Sequence, residues 1–339
     1  QFIKEINEEQ LIIKDIMKTE NDLSVREKLL GKFQAQLQIE INLRHFKKAK
    51  ELLDTIENIV QLSNGIQPSW TNNKMKMEVM NTLGKKDDSF TINNPSLSAT
   101  SIQAYMECPL KYKYCYIDHI PGPSEKLYFK LGNVIHKVLE LFHTDNKDSL
   151  DDLINLLDQH WKDGSYKYVQ EEEQHREDAE NMLRNYWTFI QLSPVNTFST
   201  EHWFSFDTKY AHLKGKCDRI DLDDHHKMSI IDYKTSKKPS DGGKLKNNLQ
   251  LGIYGIFAVT EGIKVGDKII KDYPKKLSML YLRDSEPEVS IVFNKDDIDK
   301  FNQKIHKVSE NIKKNKFESC KGIYCDWCDY KELICPEFG

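Results

Sequence analysis

Three residues with chemical potential, Asp218, Asp232 and Lys234, lie in the stretch 215–234, GKCDRIDLDDHHKMSIIDYK. Two apolar-patterned segments surround a short charged turn, which predicts a β-hairpin that brings Asp218 near Asp232 and Lys234. Because side chains alternate faces along a strand, Asp232 and Lys234 are expected to point the same way and Tyr233 the opposite way. Both carboxylates and the lysine are therefore predicted to share one side of a sheet.

This arrangement is unfavourable unless something binds there. Neighbouring carboxylates repel each other, and a half-buried lysine loses hydration. A divalent cation removes the conflict, so Asp218 and Asp232 are predicted to bind Mg²⁺ or Mn²⁺ through their oxygens. Lys234 would lie beside the group being cleaved and orient a water or stabilise developing negative charge. The alternative is an ion pair on the open face of a hairpin, which the hairpin alone favours.

Length and composition limit the classes of protein that this hairpin could serve. The chain has 339 residues, a formal net charge of −4 and seven cysteines. This length predicts one large domain or two unequal ones. Because the net charge is small, contact with nucleic acid would rely on local basic patches. Neither a bilayer-spanning apolar run nor a signal segment is evident, so we expect an intracellular, cytoplasmic protein without a membrane partner.

Helical and strand patterns surround the hairpin. Leucine and isoleucine recur at helical spacing from Ile3 to Leu62, and 63–94 has the composition of a linker, so 1–94 is predicted to be a helical connecting region. Further helices are predicted from Ser98 through Cys115 and over Phe129–His143, Leu150–Lys162, Tyr166–Leu192, Leu245–Val259 and Lys295–Lys314. Further strands are predicted over Ser199–Thr208, Leu277–Leu282 and Glu288–Phe293. This order predicts an α/β (α+β) fold with a mixed sheet flanked by helices.

Two helices and the C-terminus carry other residues with chemical potential. His136 and Glu140 are four residues apart and share a helix face, as do Gln250 and Tyr254. By itself, His136 would be assigned to the core or the surface. Four of the seven cysteines crowd into the last twenty residues, which is a poor pattern for a secreted disulfide framework and favours ligation of a metal or cluster.

Together these segments resemble the RecB-like branch of the PD-(D/E)xK nucleases, from about Ser96 to Pro336. The resemblance implies a restriction-endonuclease-like core and assigns 95–339 to a nuclease domain. The residues that match the family motifs, in chain order, are Ser101, Tyr105, Cys108, Pro109, Gly132, His136, Glu140, Gly215, Asp218, Arg219, Asp221, Asp232, Tyr233, Lys234, Thr235, Gln250 and Tyr254.

The resemblance implies a role for each residue of the hairpin site. His136 becomes a metal ligand together with Asp218 and Asp232, and the carbonyl oxygen of Tyr233 is a further ligand. Lys234 becomes the catalytic lysine. The implied reaction is hydrolysis of phosphodiester bonds with Mg²⁺ or Mn²⁺.

Residues beside the site receive supporting roles by the same resemblance. Gln250 and Tyr254 are expected to contact the DNA backbone or to orient Lys234, with a structural role as the alternative for Tyr254. Glu140 is expected to support the ligands, with surface solvation as its alternative. A set of basic residues could either bind phosphates or form a solvated surface: Arg219, Lys237, Lys238, Lys244 and Lys246.

The cysteines resemble the four thiolates that hold a [4Fe-4S] cluster in AddB-type members of the family. The implied ligands are Cys108, Cys325, Cys328 and Cys335. Cys320 is a competing thiol close by. Zinc in a four-cysteine site is the inorganic alternative, because thiolates suit both metals. Cys115 and Cys217 are expected to be buried small side chains.

We therefore expect a metal-dependent deoxyribonuclease, an exonuclease or end-processing enzyme of DNA repair or recombination, acting on single-stranded DNA or duplex ends. The start, residues 1–6, resembles the junction after the last motif of UvrD-type helicases, which implies the nuclease portion of a helicase-nuclease with its motor in the same longer chain. Two alternatives remain open: a non-catalytic DNA-binding scaffold of a helicase complex, and a free-standing nuclease of the CRISPR-adaptation type.

Overall fold

The computed structural model describes residues 21–63, 75, 92–120, 127–162, 164, 166, 168–193, 195–239, 242–331 and 334–338. These residues divide into two compact units. The first unit contains those before position 94 together with those within Ala104–Ser124 and Asn315–Gly339, and the second contains those within Asn94–Gln103 and Glu125–Lys314. The helicase-like start at 1–6 and nearly all of the linker at 63–94 lie outside the described residues.

Two helices open the first unit. Helix α1 covers Asn21–Asn42 and helix α2 covers Phe46–Ser63. A buried cluster joins them, formed by Leu29, Phe33, Leu52 and Ile59. Both helices lie in the region that the spacing of leucine and isoleucine predicted to be helical, and burial of one apolar face explains that spacing.

A short strand leads into a capped helix that carries the first of the family-like motif residues. Strand β1 covers Ser96–Leu97 and helix α3 covers Ala99–Glu107. The Ser101 amide donates to Ser98 Oγ at 3.2 Å, and the Ser98 amide donates to Ser101 Oγ at 2.8 Å. These reciprocal bonds satisfy amide groups that would otherwise be unpaired at the helix start.

The prediction of one helix from Ser98 through Cys115 is wrong at Cys108. Helix α3 ends at Glu107, and Cys108 adopts an extended conformation with φ −160° and ψ 114°. Helix α4 then covers Pro109–Tyr112, and a π-helical turn covers Lys113–Ile117. The break has a local cause, because proline disfavours a helical conformation in the residue before it but is well suited to the first turn of a helix.

A six-stranded mixed sheet forms the second unit together with flanking helices. Its longer strands are β2 (Thr197–Asp207), β3 (His212–Leu222), β4 (Met228–Lys234), β7 (Lys276–Tyr281) and β8 (Glu288–Ile291). The paired strands follow the order β1-β3-β4-β7-β8, and β2 also pairs with β3 along most of its length. The β1–β3 and β4–β7 pairs are parallel and the others antiparallel. A separate hairpin, β5 (Ile263–Val265) with β6 (Lys268–Ile270), was not predicted.

The helices of the second unit are α5 (Leu127–Thr144), α6 (Leu150–His160), α7 (Val169–Leu192), α8 (Leu249–Thr260) and α9 (Lys295–Lys313). Helix α8 begins four residues later than predicted. A 3₁₀ turn covers Gly242–Asn247, and the Asn248 side chain then accepts a hydrogen bond from the Leu251 amide at 3.0 Å. Asparagine is a favoured helix cap, so Asn248 sets the start of α8.

Helices cover both faces of the sheet. Helices α5, α6 and α7 share a core with Ile231 and Tyr233 of strand β4. On the opposite face, Phe257 of α8 stacks on Phe204 of β2 with ring centroids 4.5 Å apart. The mixed α/β fold predicted from the sequence is confirmed. None of the helices in the described ranges combines the length and apolar character needed to cross a bilayer.

Candidate active site and cysteine cluster

The two aspartates of the motif hairpin lie where strands β3 and β4 part. The paired register runs from Leu222↔Met228 to Arg219↔Ile231 and stops there. Asp218 and Asp232 are the next residue on each strand, while β4 continues to pair with β7 beyond this point. The fork leaves room for side chains from the neighbouring elements to reach both carboxylates.

Lys234 lies beside Asp232, on the side of the strand that alternation predicted. Its Nζ is 2.6 Å from Oδ2 of Asp232 and donates to Oε1 of Gln250 at 3.0 Å. The Tyr233 side chain points to the other face, where its hydroxyl accepts a hydrogen bond from Arg219 at 3.0 Å. The lysine therefore lies at the fork with its charge held by two partners.

Gln250 and Tyr254 of helix α8 hold Asp232 in place. Gln250 Nε2 donates to Oδ1 of Asp232 at 2.5 Å and to the Tyr254 hydroxyl at 2.8 Å. The Tyr254 hydroxyl lies 2.7 Å from the Lys216 carbonyl oxygen and 3.1 Å from Oδ1 of Asp232, so its one proton serves both contacts. An ammonium only donates and a carboxylate only accepts, which fixes the orientation of the Gln250 amide.

These contacts bear on the roles expected for Gln250 and Tyr254, which were contact with the DNA backbone, orientation of Lys234 or, for Tyr254, a structural role. Tyr254 is 2% exposed, so its position supports the structural role and not a contact with the DNA backbone. Gln250 bonds both Lys234 and Asp232, which is the geometry expected of a residue that orients the lysine. Both depend on the i, i+4 spacing along α8.

The second aspartate is surrounded by three other groups. The Tyr233 amide donates to Oδ2 of Asp218 at 2.8 Å, and His136 Nδ1 lies 3.5 Å from Oδ1. Glu201 of strand β2 also approaches, and one ligand atom from each of His136, Glu201 and Asp218 lies within 4.8 Å of the others. His136 reaches this point from α5, although the helix pattern alone assigned it to the core or surface.

Glu201 is the site residue that the sequence analysis missed. It lies between the register pairs Thr200↔Arg219 and His202↔Cys217, opposite Asp218. Its φ is +48°, a left-handed conformation that costs a non-glycine residue about 1–2 kcal/mol. Lys216 Nζ pairs with its carboxylate. Strain of this kind in a strand is typical of functional sites, and no spacing in the sequence signals it.

Burial and neighbouring charges shift the pKa values of this site. Burial raises the pKa of Asp232, and the charge of Asp218 raises it further, against the opposing effects of Lys234 and His136. Burial lowers the pKa of His136, but the hydrogen bond and charge of Asp218 outweigh burial and raise it. For Lys234, burial lowers the pKa and Asp232 outweighs that effect, so the ammonium form is favoured.

The donor set at the fork fits a divalent cation. The carboxylate of Asp232 is buried, and its Oδ2 lies 2.6 Å from Nζ of Lys234. Two further carboxylates, of Asp218 and Glu201, and the imidazole of His136 lie nearby. Carboxylate oxygen suits Mg²⁺ and Mn²⁺, and a cation would offset the repulsion between the neighbouring carboxylates. The Tyr233 carbonyl stays a prediction as a ligand.

Arg219 does not belong to a phosphate-binding surface. It is 1% exposed and lies on the face covered by α5 and α7. Its guanidinium donates to Asp221 Oδ2 at 3.1 Å and to the Tyr186 hydroxyl at 2.5 Å. The expectation of phosphate contact or a solvated position is therefore wrong for this residue. A buried arginine that is paired and hydrogen-bonded instead ties the sheet to its helices.

The other supporting residues are half-buried or exposed. Glu140 is half-buried and accepts from Lys137 Nζ at 2.8 Å, and its supporting role stays a prediction. Lys238 Nζ donates to the Glu286 carbonyl at 2.9 Å. Lys246 lies 3.8 Å from Asp297. Phosphate binding by Lys237, Lys238, Lys244 and Lys246 stays a prediction.

All four predicted cluster cysteines lie in the first unit, but in the described part of the chain no three of their sulfur atoms lie within 4.8 Å of one another. Burial raises the pKa of the Cys328 thiol, and the thiols of Cys108 and Cys335 raise it further. Cys325 Sγ instead accepts a hydrogen bond from the Gly322 amide at 3.3 Å, within a 3₁₀ turn over Ile323–Trp327. All four cysteines are partly exposed free thiols, and the competing Cys320 is exposed.

Tyrosines hold the C-terminal segment against the residues that follow Cys108. The Tyr330 hydroxyl donates to the Ile120 carbonyl at 2.7 Å, and the Tyr114 hydroxyl donates to the Ile334 carbonyl at 3.1 Å. Cys115 Sγ lies 3.3 Å from the Tyr330 hydroxyl, and Cys217 is fully buried. The segments that carry the distant and the local cysteines are thus held together by protein contacts.

Comparison with known proteins agrees with the fold. Residues 96–336 match the family model described as the PD-(D/E)XK nuclease superfamily. The match covers well over half of the chain, and the chain belongs to this superfamily. The sequence resemblance to PD-(D/E)xK nucleases is confirmed at this level.

Two curated relatives are each named as one subunit of an ATP-dependent helicase/deoxyribonuclease. The protein from Clostridium perfringens (strain SM101 / Type A) is 23% identical over 234 residues, 58% of this chain and 20% of that protein. The protein from Streptococcus mutans serotype c is 29% identical over 203 residues, 58% of this chain and 18% of that protein. The chain thus spans about a fifth of the length of these relatives.

A solved structure from Eubacterium rectale, described as a candidate exonuclease, resembles the chain with a TM-score of 0.41 and 10% identity. The likeness covers 73% of this chain and 92% of that one.

Proposed function

We propose that the chain is a divalent-cation-dependent deoxyribonuclease that hydrolyses phosphodiester bonds at DNA ends. The observation that carries this proposal is the convergence of acidic and basic groups at the fork: Asp232 is buried 2.6 Å from Lys234, and Asp218 lies with His136 and Glu201 in a group whose ligand atoms are within 4.8 Å of one another. Membership of the PD-(D/E)XK nuclease superfamily and the deoxyribonuclease names of the relatives support the same chemistry. Mg²⁺ and Mn²⁺ are the proposed cations.

The side chains of the fork divide the work of hydrolysis. Asp218, Asp232 and His136 are the proposed cation ligands, and Glu201 offers a further carboxylate. When bound, the cation supplies Lewis-acid polarisation of the phosphoryl oxygen and acidifies a bound water. Lys234 keeps its proton beside Asp232 and stabilises the negative charge that develops on the phosphate. Gln250 holds the lysine and the carboxylate in fixed relative positions.

A role in DNA repair or recombination together with a helicase is the cellular setting that we infer. The names of both relatives combine a helicase with a deoxyribonuclease. The helicase motor would lie in the same longer chain or in a separate partner protein. Co-purification of an ATP-dependent helicase with the full-length gene product tests this inference, and a full-length product that neither contains nor binds a helicase contradicts it.

For the cysteines we propose a [4Fe-4S] cluster held by Cys108, Cys325, Cys328 and Cys335. The hydrogen bonds that hold the C-terminal segment against the residues after Cys108 support it, and thiolates are the ligands that such clusters use. Cys325 would turn from the Gly322 amide to complete the set. When bound, the cluster supplies a covalent link between the segment at Cys108 and the C-terminal segment.

Substitution of the lysine and the buried aspartate tests the nuclease assignment. Lys234→Ala and Asp232→Ala are each expected to lower cleavage of end-labelled DNA in Mn²⁺ by at least about 100-fold, because each removes charge stabilisation that the reaction needs. EDTA is expected to stop cleavage by the parent chain. Lys137→Ala, which changes a surface lysine of α5, is the matched control.

Undiminished cleavage by both site variants would overturn the assignment. Binding of DNA by the parent chain without cleavage in either Mg²⁺ or Mn²⁺ would also overturn it and would favour a DNA-binding scaffold. Circular dichroism and thermal unfolding show whether each variant keeps the parent fold.

A further inference from the structure

Trp203 is an exposed aromatic side chain next to the fork. Its side chain is 73% exposed, although it lies in the middle of strand β2. Phe204, the next residue, is buried against helix α8. A single exposed tryptophan is not evidence of a binding site by itself, so the role of Trp203 is inferred from its neighbours.

Lys216 joins this tryptophan to the site. Trp203 and Lys216 are direct partners in the β2–β3 register, and Lys216 Nζ lies 5.6 Å from the centre of the indole ring. The same ammonium pairs with the carboxylate of Glu201. Asp218 is two residues from Lys216 along β3, about 7 Å at the rise of a strand. Ring, ammonium and cation ligands therefore follow one another along the sheet.

The backbone that carries this group is fixed. The Lys216 carbonyl oxygen accepts the Tyr254 hydroxyl at 2.7 Å, and β2 pairs with β3 continuously from Ser199 to Asp207 apart from the position of Glu201. An aromatic ring on a rigid strand loses little freedom when a ligand stacks on it. Trp203 is thus prepared to receive a flat ligand.

From these contacts we propose that Trp203 and Lys216 form a nucleobase platform for the nucleotide next to the scissile phosphate. The indole stacks on an unpaired base, and the ammonium contacts a neighbouring phosphate. Every base has a π face, so the platform accepts any sequence but requires a base that is free of its duplex partner. This inference rests on the proposed function and adds to it single-stranded DNA as the substrate class at the site.

Binding of short fluorescent oligonucleotides tests the platform without requiring turnover. All proteins carry Lys234→Ala, and anisotropy is measured in Mn²⁺ with an oligothymidylate and with a blunt duplex of the same length. Trp203→Ala is expected to weaken binding of the single strand roughly 5- to 150-fold, the effect of losing one stacked base, and to leave duplex binding unchanged. Trp203→Phe, which keeps an aromatic face, is expected to restore most of the affinity.

Tyr273→Ala is the matched control. Tyr273 is an exposed aromatic residue beside Lys275, whose amide bonds the Met228 carbonyl at the opposite end of β4 from Lys234. This variant is expected to bind like the parent. A second measurement follows indole emission, which the single strand is expected to quench in the parent and to quench much less in Trp203→Phe.

Equal affinity of the parent and Trp203→Ala for the single strand would overturn the platform, and so would an equal loss for the single strand and the duplex. Failure of the proposed function is distinguishable from both outcomes. In that case the chain without the Lys234 substitution cleaves neither substrate, while the difference in binding between the parent and Trp203→Ala persists.

Discussion

At the scale of single residues, the fork combines backbone strain with neighbouring buried carboxylates. Glu201 holds a left-handed backbone conformation, and Asp232 is buried near Asp218, so that burial and the charge of Asp218 both raise the pKa of Asp232. Each feature is unfavourable in the protein alone, and a cation bound by the carboxylates would offset both. The site is therefore built for binding at some expense of stability.

Substitution of Glu201 tests whether its backbone is strained. Glycine adopts positive φ readily and alanine does not, so Glu201→Gly is expected to be about 1 kcal/mol more stable than Glu201→Ala. In an ordinary strand the order is reversed. Urea unfolding of both variants measures the difference. Both are expected to bind Mn²⁺ more weakly than the parent because they lose a carboxylate, and parental Mn²⁺ affinity in both would remove Glu201 from the ligand set.

The Tyr254 hydroxyl is the second residue-scale test. Tyr254→Phe leaves the Lys216 carbonyl without this buried donor and removes the partner of Gln250 and Asp232. Loss of a buried partner costs about 1–3 kcal/mol, so the free energy of unfolding is expected to fall by that amount. Cleavage is expected to fall by less than it does in Lys234→Ala. A variant as stable as the parent would show that the hydroxyl bonds contribute nothing.

At the scale of elements, the buried Arg219 joins the sheet to its helices. It donates to Tyr186 of α7 and to Tyr233 of β4. It also lies 3.3 Å from Nε2 of His143 in α5. Because arginine only donates, Nε2 accepts and the proton of His143 is on Nδ1, which donates to Thr197 Oγ1 at 3.1 Å. The polar groups of two helices and three strands therefore satisfy one another.

Because it contains the half-buried His143, this network makes the free energy of unfolding depend on pH. Burial, with the charge of Arg219, lowers the pKa of His143 from 6.5 to about 3. Between those values the unfolded chain binds a proton that the folded chain does not, so His143 destabilises the fold as the pH falls from about 6.5 towards 3. The slope approaches about 1.4 kcal/mol per pH unit. Urea unfolding at pH 7 and pH 5 measures this effect.

His143→Gln is the control for the pH effect. It keeps a polar side chain but cannot titrate, so it is expected to lose less stability than the parent between pH 7 and pH 5. An identical loss in the parent and the variant would assign the pH dependence to other groups.

Helix α8 also packs closely on helix α9. A Cβ added to Gly252 would meet Cδ1 of Phe301 at 2.4 Å. Alanine is normally the better helix residue, by about 1 kcal/mol. Gly252→Ala is nevertheless expected to lower the free energy of unfolding by about 1–3 kcal/mol, because overpacking outweighs propensity. Adding Phe301→Leu is expected to recover part of the loss, and a more stable single variant would contradict the close contact.

At the scale of the whole molecule, the chain contains two units with different chemistry. The fork and the proposed nucleobase platform belong to the second unit, and the four cysteines belong to the first. Each unit is built from segments that are distant in the sequence. A cluster at the cysteines would link two such segments of the first unit without supplying any group to the fork.

Visible absorption of anaerobically purified protein tests the cluster. A brown protein with a broad band and bound iron is expected, and Cys328→Ser is expected to lose the colour and to unfold at a lower temperature, because a covalent link between distant segments is lost. Cys217→Ser, a change at a buried thiol that is not one of the four proposed cluster ligands, is expected to keep the colour. A colourless parent that contains zinc would replace the cluster by a four-cysteine zinc site.

Local pattern was sufficient for several features. Alternation along Asp232, Tyr233 and Lys234 predicted the faces that their side chains take, because strand geometry is a local property. The hairpin, the mixed sheet and the flanking helices followed from apolar periodicity in the same way. Local pattern was insufficient for the start of helix α8. A 3₁₀ turn ends at Asn247, and Asn248 caps a helix that begins at Leu249 and not at the predicted Leu245.

The sequence by itself determined the fold class and a set of residues proposed to bind a cation. Periodicity and motif order can both be read from the order of the residues alone. Only the tertiary structure decided that Arg219 is interior, that Tyr254 is buried, and that Glu201 joins His136 and Asp218. These facts depend on which strands and helices meet across long distances in the chain. Burial and contact arise from that packing, and no local spacing encodes them.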